Sequence, residues 1–258
     1  SIWKRFKYSK VHKDKDYNYS DLNMILLQMA IDSITHQSLD QHLNDNFYKP
    51  LGLANLQYNP ASRVEGERLI PTEYDAHRRK QLLKGHVHDP AAALMGGVAG
   101  NAGLFSNAND LAILFQMLLN GGEYGGRRYL NPETVSYFTG RKEGHRGLGF
   151  DKPPVKGRYI IAQDASKASY GHTGFTGTCV WVDPENELIF IFLSNRIYPD
   201  ADNWKINHMR VRSRMHQAVY EALEKGNPID WKKQEELLNA QESPKKLKIS
   251  QQEIDMAG

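Results

Sequence analysis

The chain has 258 residues, 40% of them hydrophobic and 24% charged, which is ordinary globular usage and enough for one large domain with a sizeable core. Its formal net charge of +3 is too mild to argue for a nucleic-acid partner, and Cys179, the only cysteine, excludes an internal disulfide. No run of 18 apolar residues marks a membrane-spanning helix, and residues 1–15 are basic without the apolar stretch of a signal peptide.

Residues 19–35 read as a strand end, a turn and a helix, with Leu22, Ile25, Leu26, Met29 and Ile34 at helical spacing. A short helix starts at Ser38, with Gln41 placed as its capping-box partner. It is expected to bury Leu39, Leu43 and Phe47 and to end before Pro50. Residues 57–88 are polar and contain Pro60 and Pro71, and read as a long irregular excursion. Gly96, Gly97, Gly100 and Gly103 then imply a backbone that turns sharply or lies close against another surface. The next helix is capped by Asn107, with Asp110 at its third position. Leu111, Leu114, Phe115 and Leu118 form its apolar face, and Gly121 and Gly122 end it.

The strongest β signal lies at 178–193. Residues 178–182 and 188–193 are β-branched and aromatic, and Asp183, Pro184, Glu185 and Asn186 between them are turn formers, so the segment reads as a hairpin of buried strands. A long helix is expected over 204–225, with Ile206, Met209, Met215, Val219 and Leu223 on its apolar face, Gly226 closing it and Pro228 barring its return. From residue 239 the chain is polar and lysine-rich. These elements predict an α/β (α+β) fold whose antiparallel sheet contains the hairpin, with the 204–225 helix on one face. The helices at Asp21 and Asn107 are expected in a separate helical region. Residues 1–238 read as the domain and 239–258 as a tail.

Two tripeptides stand at informative places: Tyr19-Ser20-Asp21 at the mouth of a helix, and His172-Thr173-Gly174 leading into the hairpin. Alone, the first is an ordinary helix entry and the second an ordinary strand end. In order and context, YSDLNMILLQMA resembles the Tyr-x-Asn element of the penicillin-binding protein and β-lactamase superfamily. YGHTGFTGTCVWVDPENELIFIFLSNRIYP resembles its Lys-Thr-Gly strand with the two strands that follow. FYKPLGL and GGVAGNAGLFSNANDLAILFQMLLNGG resemble connecting segments of its class C and esterase branch. The resemblance covers roughly residues 17–224. It is closest to the β-lactamase-like domain that follows a family 3 β-N-acetylglucosaminidase in some Bacteroidetes proteins, which suggests cell-wall material as substrate.

The resemblance implies an antiparallel sheet flanked by helices, no cofactor, and a serine nucleophile whose proton passes through a tyrosine phenol. Tyr19 and His172 would be the catalytic residues. Asp21, Thr173, Gly174 and Phe175 would bind substrate, with a backbone N–H near Phe175 in the oxyanion hole. Two positions depart from the pattern. Asp21 stands where relatives often have Asn, and a carboxylate can only accept hydrogen bonds. His172 stands where many have Lys, and a histidine is only partly charged at neutral pH.

The family's Ser-x-x-Lys occurs at Ser1 to Lys4 and Ser243 to Lys246, the first too near Tyr19 and the second in the polar tail. The nucleophile segment is therefore expected to be missing, leaving the C-terminal portion of a serine acyl hydrolase, inactive as this chain. The alternative is a non-catalytic binding module with the same cleft. Apolar surface left uncovered by the missing segment is expected to drive self-association. The parent protein is expected in the periplasm or cell envelope. His86-Val87-His88-Asp89 resembles a metal cluster but lacks a second cluster to close a site, so a loop is favoured and no metal is expected. Cys179 and Trp181 read as buried strand residues.

Overall fold

The computed structural model describes residue 8 and residues 19–140, 142, 144–154, 160–199 and 201–224. Both Ser-x-x-Lys matches, the helix end at Lys225, Gly226 and Pro228, and the tail after 239 lie outside them. The described helices are α1 (Asp21–Thr35), α2 (Leu39–Leu43), α3 (Pro90–Leu94), α4 (Ala108–Leu119), α5 (Pro132–Thr139), α6 (Lys205–His208) and α7 (Val211–Glu224). The strands are β1 (Gln57–Tyr58), β2 (Pro71–Asp75), β3 (Gln81–Lys84), β4 (Leu104–Phe105), β5 (Glu123–Tyr124), β6 (Arg127–Arg128), β7 (Tyr170–Thr173), β8 (Cys179–Asp183) and β9 (Leu188–Phe192).

The mixed α/β class with an antiparallel sheet holds. Strands β7, β8 and β9 form that sheet in sequence order, and the hairpin pairs Cys179 with Phe192 through Asp183 with Leu188. Strand alternation sends Cys179, Trp181, Phe190 and Phe192 to one face. There they pack with Ile161 and with Val219 of α7. Burial pushes the Cys179 thiol up to about 12, as suits an inert core residue.

Asp183 at the hairpin turn is a buried anchor. It accepts from Ser166 N at 2.9 Å, Ser166 Oγ at 2.5 Å, Asn186 Nδ2 at 2.8 Å and the Tyr220 hydroxyl at 2.6 Å. Burial alone would raise its pKa. Those hydrogen bonds outweigh burial and hold the carboxyl at about 2.

Four expectations need correction. First, α4 packs against β9, so it flanks the sheet instead of standing apart with α1. Its apolar surface is broad: Met117 is buried among Tyr48, Leu51, Leu53 and Leu56, with Leu111, Ile113, Leu114 and Leu118 around them. Second, the 57–88 excursion contains an antiparallel hairpin, β2 with β3, whose register shifts between Pro71 and Glu73. A carboxylate organises its turn, because Asp75 accepts from Arg78 N at 2.9 Å and Arg79 Nε at 2.9 Å. Those bonds hold the Asp75 carboxyl well below the usual range.

Third, the Ser38 side chain makes no cap bond; its carbonyl accepts from His42 N at 2.9 Å, and α2 runs on into a single π-helical stretch, Asn44–Tyr48. Fourth, the C-terminal helix is broken. Arg210 sits at φ 52 between α6 and α7. The buried residues of α7 are His216 and Tyr220, not the methionines and Leu223, because His216 stacks on Phe190 and Tyr220 reaches Asp183.

The Asn107 cap forms as expected, accepting from Asp110 N at 2.8 Å. Asp110 is itself buried and accepts from Asn55 N at 2.6 Å and Leu56 N at 3.1 Å. The glycine-rich segment lies hard against α1. Gln28 donates to Val98 O and accepts from Gly100 N at 3.0 Å, and a Cβ on Gly100 would fall 2.2 Å from Met24 O. This contact fixes the approach of α1 and hence the position of its first residues.

Candidate active site

Ser20 caps α1 in an extended conformation, its Oγ accepting from Leu22 N at 3.3 Å. That entry leaves Tyr19 outside the helix and exposed, turned toward the end of β7. His172 sits on β7, and the ring centroids of Tyr19 and His172 are 6.3 Å apart. Both line a cleft of 280 Å³. One wall carries Thr173, Gly174 and Phe175; the rest is made by Arg146, Asp151, Arg196, Trp204, Asn207 and Arg212.

Gly174 is confined by a tight turn. Its N donates to Thr178 O at 2.8 Å, and a Cβ would meet Thr178 Oγ1 at 2.3 Å. Arg196 clamps the loops around this turn. Its Nε donates to Phe175 O at 2.9 Å, and its Nη1 donates to Ala201 O and Asn203 O. The guanidinium also lies over Phe175 and, at 3.9 Å, over Trp204.

Asp21 is not among the residues that line the cleft. One position inside the helix, its carboxyl has a raised pKa, through partial burial first and the neighbouring Asp89 charge second. Asp89 caps α3, accepting from Ala92 N at 2.7 Å, and His88 pairs with Glu73 and stacks on Phe175. Those roles account for the metal-like His-Val-His-Asp stretch. No group of three metal-binding side chains occurs among the described residues.

Arg146 and Asp151 went unnoticed in the sequence. A signal was present: oppositely charged residues bracket the turn-forming Gly147-Leu148-Gly149, the pattern of a short antiparallel pair. Arg196 had none beyond its place directly after the hairpin.

Residues 5–210 match the Beta-lactamase family model. The chain is 36% identical over 221 residues to a protein of Escherichia coli (strain K12) named "Putative D-alanyl-D-alanine carboxypeptidase", covering 78% of this chain and 50% of that protein. It is 37% identical over 207 residues to the like-named protein of Salmonella gallinarum, with 73% and 47% covered. The chain thus spans about half the length of the curated relatives it matches. In fold it is similar to a beta-lactamase from Mycobacterium bovis, at TM-score 0.54 and 18% identity over 79% of this chain and 63% of that one. Simvastatin synthase from Aspergillus terreus gives TM-score 0.54 at 17% identity, with 79% and 54% covered. With a family match over most of its length and relatives above one-third identity, the chain belongs to the beta-lactamase family of serine hydrolases.

Proposed function

We propose that the cleft is the acyl-transfer site of a serine hydrolase acting on a D-alanyl peptide, ester or related amide of the cell wall. The observation that carries this reading is the meeting of Tyr19 and His172, remote in sequence, across one cleft. In the proposed reaction Tyr19, as its phenolate, takes the proton of a serine hydroxyl as the hydroxyl oxygen attacks the substrate carbonyl, and the phenol so formed gives that proton to the leaving group. Thr173 and Gly174 flank the substrate, and the Phe175 N–H polarises its carbonyl. Asp21 is left with a supporting role at the helix entry. The relatives' names point to a D-alanyl substrate, and the sequence likeness to a domain beside a β-N-acetylglucosaminidase points to the same material and to the cell envelope. Among the described residues no helix is long and apolar enough to cross a membrane.

A labelled penicillin or fluorophosphonate tests the reading. A longer polypeptide in which a Ser-x-x-Lys helix precedes this chain should be acylated on that serine. Tyr19→Phe should slow labelling about 100-fold or more, the range for losing a proton-transfer group. The 258-residue polypeptide should stay unlabelled. Stoichiometric acylation of it, mapped to a serine by mass spectrometry, would place the nucleophile elsewhere. An unlabelled longer protein that still binds cell-wall peptides would support the binding module. We also infer self-association of the 258-residue polypeptide through α1, where Leu22, Leu26, Leu27 and Ile34 are exposed.

A further inference from the structure

The cleft contains a charged pair to which the chemistry above gives no task. Arg146 and Asp151 are partners in an antiparallel bridge, closed by Gly147 N donating to Phe150 O at 2.9 Å. Bridge partners project side chains to the same side. The guanidinium and carboxylate accordingly meet as an ion pair, Nη1 to Oδ1. The carboxylate is buried, with Asp151 only 4% exposed.

The pair is pinned to β7 by its backbone. Asp151 N donates to Gly171 O at 2.7 Å, and Gly171 N donates to Asp151 O at 3.1 Å. Gly171 immediately precedes His172, so this register sets the pair beside the imidazole. Arg146 Nη1 lies 3.3 Å from His172 Nε2, and Asp151 Oδ2 lies 3.9 Å from the same nitrogen. Arg146 Cζ also stands 5.3 Å from the centre of the Tyr19 ring.

The hydrogen on His172 follows from its neighbours. Nδ1 is 2.8 Å from Thr173 O, and a carbonyl can only accept, so Nδ1 carries the hydrogen. Nε2 then presents its lone pair to a guanidinium, which can only donate.

We infer that Arg146 supplies the fixed positive charge beside Tyr19, that buried Asp151 holds it there, and that His172 is kept as a hydrogen-bond acceptor at Nε2. The purpose of this arrangement rests on the acyl-transfer reading; its geometry does not. A guanidinium stays charged at any working pH, whereas an imidazole changes charge near neutrality. A cation against the phenol favours the phenolate that proton transfer demands. Asp151 offsets that cation, which matters in a cleft also lined by Arg196 and Arg212. Arg146 and Asp151 are positioning residues, acting through Tyr19 and His172.

Nitrogen NMR on the 15N-labelled 258-residue polypeptide tests this, with His172 assigned by its loss in His172→Gln. In the neutral ring the hydrogen should reside on Nδ1. A neutral ring protonated on Nε2 would overturn the inference, and the only variant this measurement uses is the His172→Gln assignment control. A titration then separates charge from scaffolding. The ionic groups at the imidazole are Arg146 and Asp151 from the loop and Tyr19 from the entry of α1, with Arg196 and Arg212 farther along the cleft.

Arg146→Gln removes a cation and should raise the pH at which His172 takes up its second proton. Asp151→Asn removes an anion and should lower it. Each shift should be about half a unit to one unit, the size for a charge a few ångströms from a partly exposed group. Arg146→Lys should leave the midpoint near the wild-type value. Shifts of the same sign, or none, would show a scaffold without the electrostatic role and overturn the inference. In the longer protein, Arg146→Gln should move the pH profile of penicillin labelling upward and Arg146→Lys should restore it. If that protein is never labelled, the acyl-transfer reading fails while the nitrogen data still decide the arrangement of charges.

Discussion

Acidification from pH 7 to pH 5 should destabilise this fold through one side chain, His216. It lies on α7, 2% exposed and flat against Phe190, with centroids 4.4 Å and planes 7° apart. Burial pushes its pKa down to about 4, and the neighbouring Asp183 carboxylate offsets only part of that. An unfolded histidine titrates near ~6.5. Between these values the unfolded chain binds a proton that the folded chain refuses. Stability is therefore full above the unfolded value, falls as pH drops through it, and levels off below about 4. The difference amounts to about 3 kcal/mol in all, of which about 2 kcal/mol is lost by pH 5.

At pH 5 Asp183, held at about 2, remains ionised and does not confuse the measurement. Urea unfolding followed by tryptophan fluorescence is a suitable assay, since Trp181 is buried in the same core. The comparison is with His216→Phe, which keeps the stack and removes the titration. It also removes a long contact from Ala162 N to Nδ1, 3.5 Å, but at both pH values alike. The wild type should lose about 2 kcal/mol between pH 7 and 5, and the variant about 0.5 kcal/mol or less. Equal losses in both would refute the claim that this imidazole is held neutral by burial.

Three further outcomes are expected. Gly100→Ala should cost about 1–3 kcal/mol in urea unfolding, the usual size for overpacking, because the new methyl meets the Met24 carbonyl. Gly66→Ala, with nothing within 4 Å, is the neutral control. Asp110→Ala should cost about 2–4 kcal/mol, since it leaves the Asn55 and Leu56 N–H groups without their acceptor, and Asp110→Asn should cost less. Sedimentation velocity should show concentration-dependent association of the wild-type polypeptide, abolished by Leu26→Glu; a wild type that stays monomeric would remove the inferred role of the α1 face.

The sheet hairpin was legible because both of its strands are covered by packing and the turn residues between them are unambiguous. The Asn107 helix was legible for a similar reason: cap, apolar spacing and terminal glycines agree on one span. The β2–β3 hairpin was not, because it is built on the Asp75 carboxylate and leaves Tyr74 and Leu82 exposed, so no apolar alternation marks it. The face of α7 was misread because its buried contacts come from a histidine and a tyrosine. Hydrophobic spacing weighs such residues lightly, yet an aromatic stack and a charge-assisted hydrogen bond hold them in place. In the cleft, Tyr19 and His172 were marked by the order and context of the two tripeptides that resemble the family's motifs, since each tripeptide alone is an ordinary helix entry or strand end. The pairing of Arg146 with Asp151, and of both with β7, depends on a register that only three dimensions supply.

The bridge at Asp151 has a consequence beyond the cleft. Among the described residues strand β7 is an outer strand of the three-stranded sheet, and an outer strand offers its free backbone groups to any passing chain. Asp151 occupies the outward N–H and C=O of Gly171, so the loop that carries the charged pair also guards this stretch of edge against strand addition. Shape of the cleft and resistance to aggregation are thereby tied to one short clip. Loosening it would blur the position of Arg146 and expose a template for intermolecular pairing in the same motion.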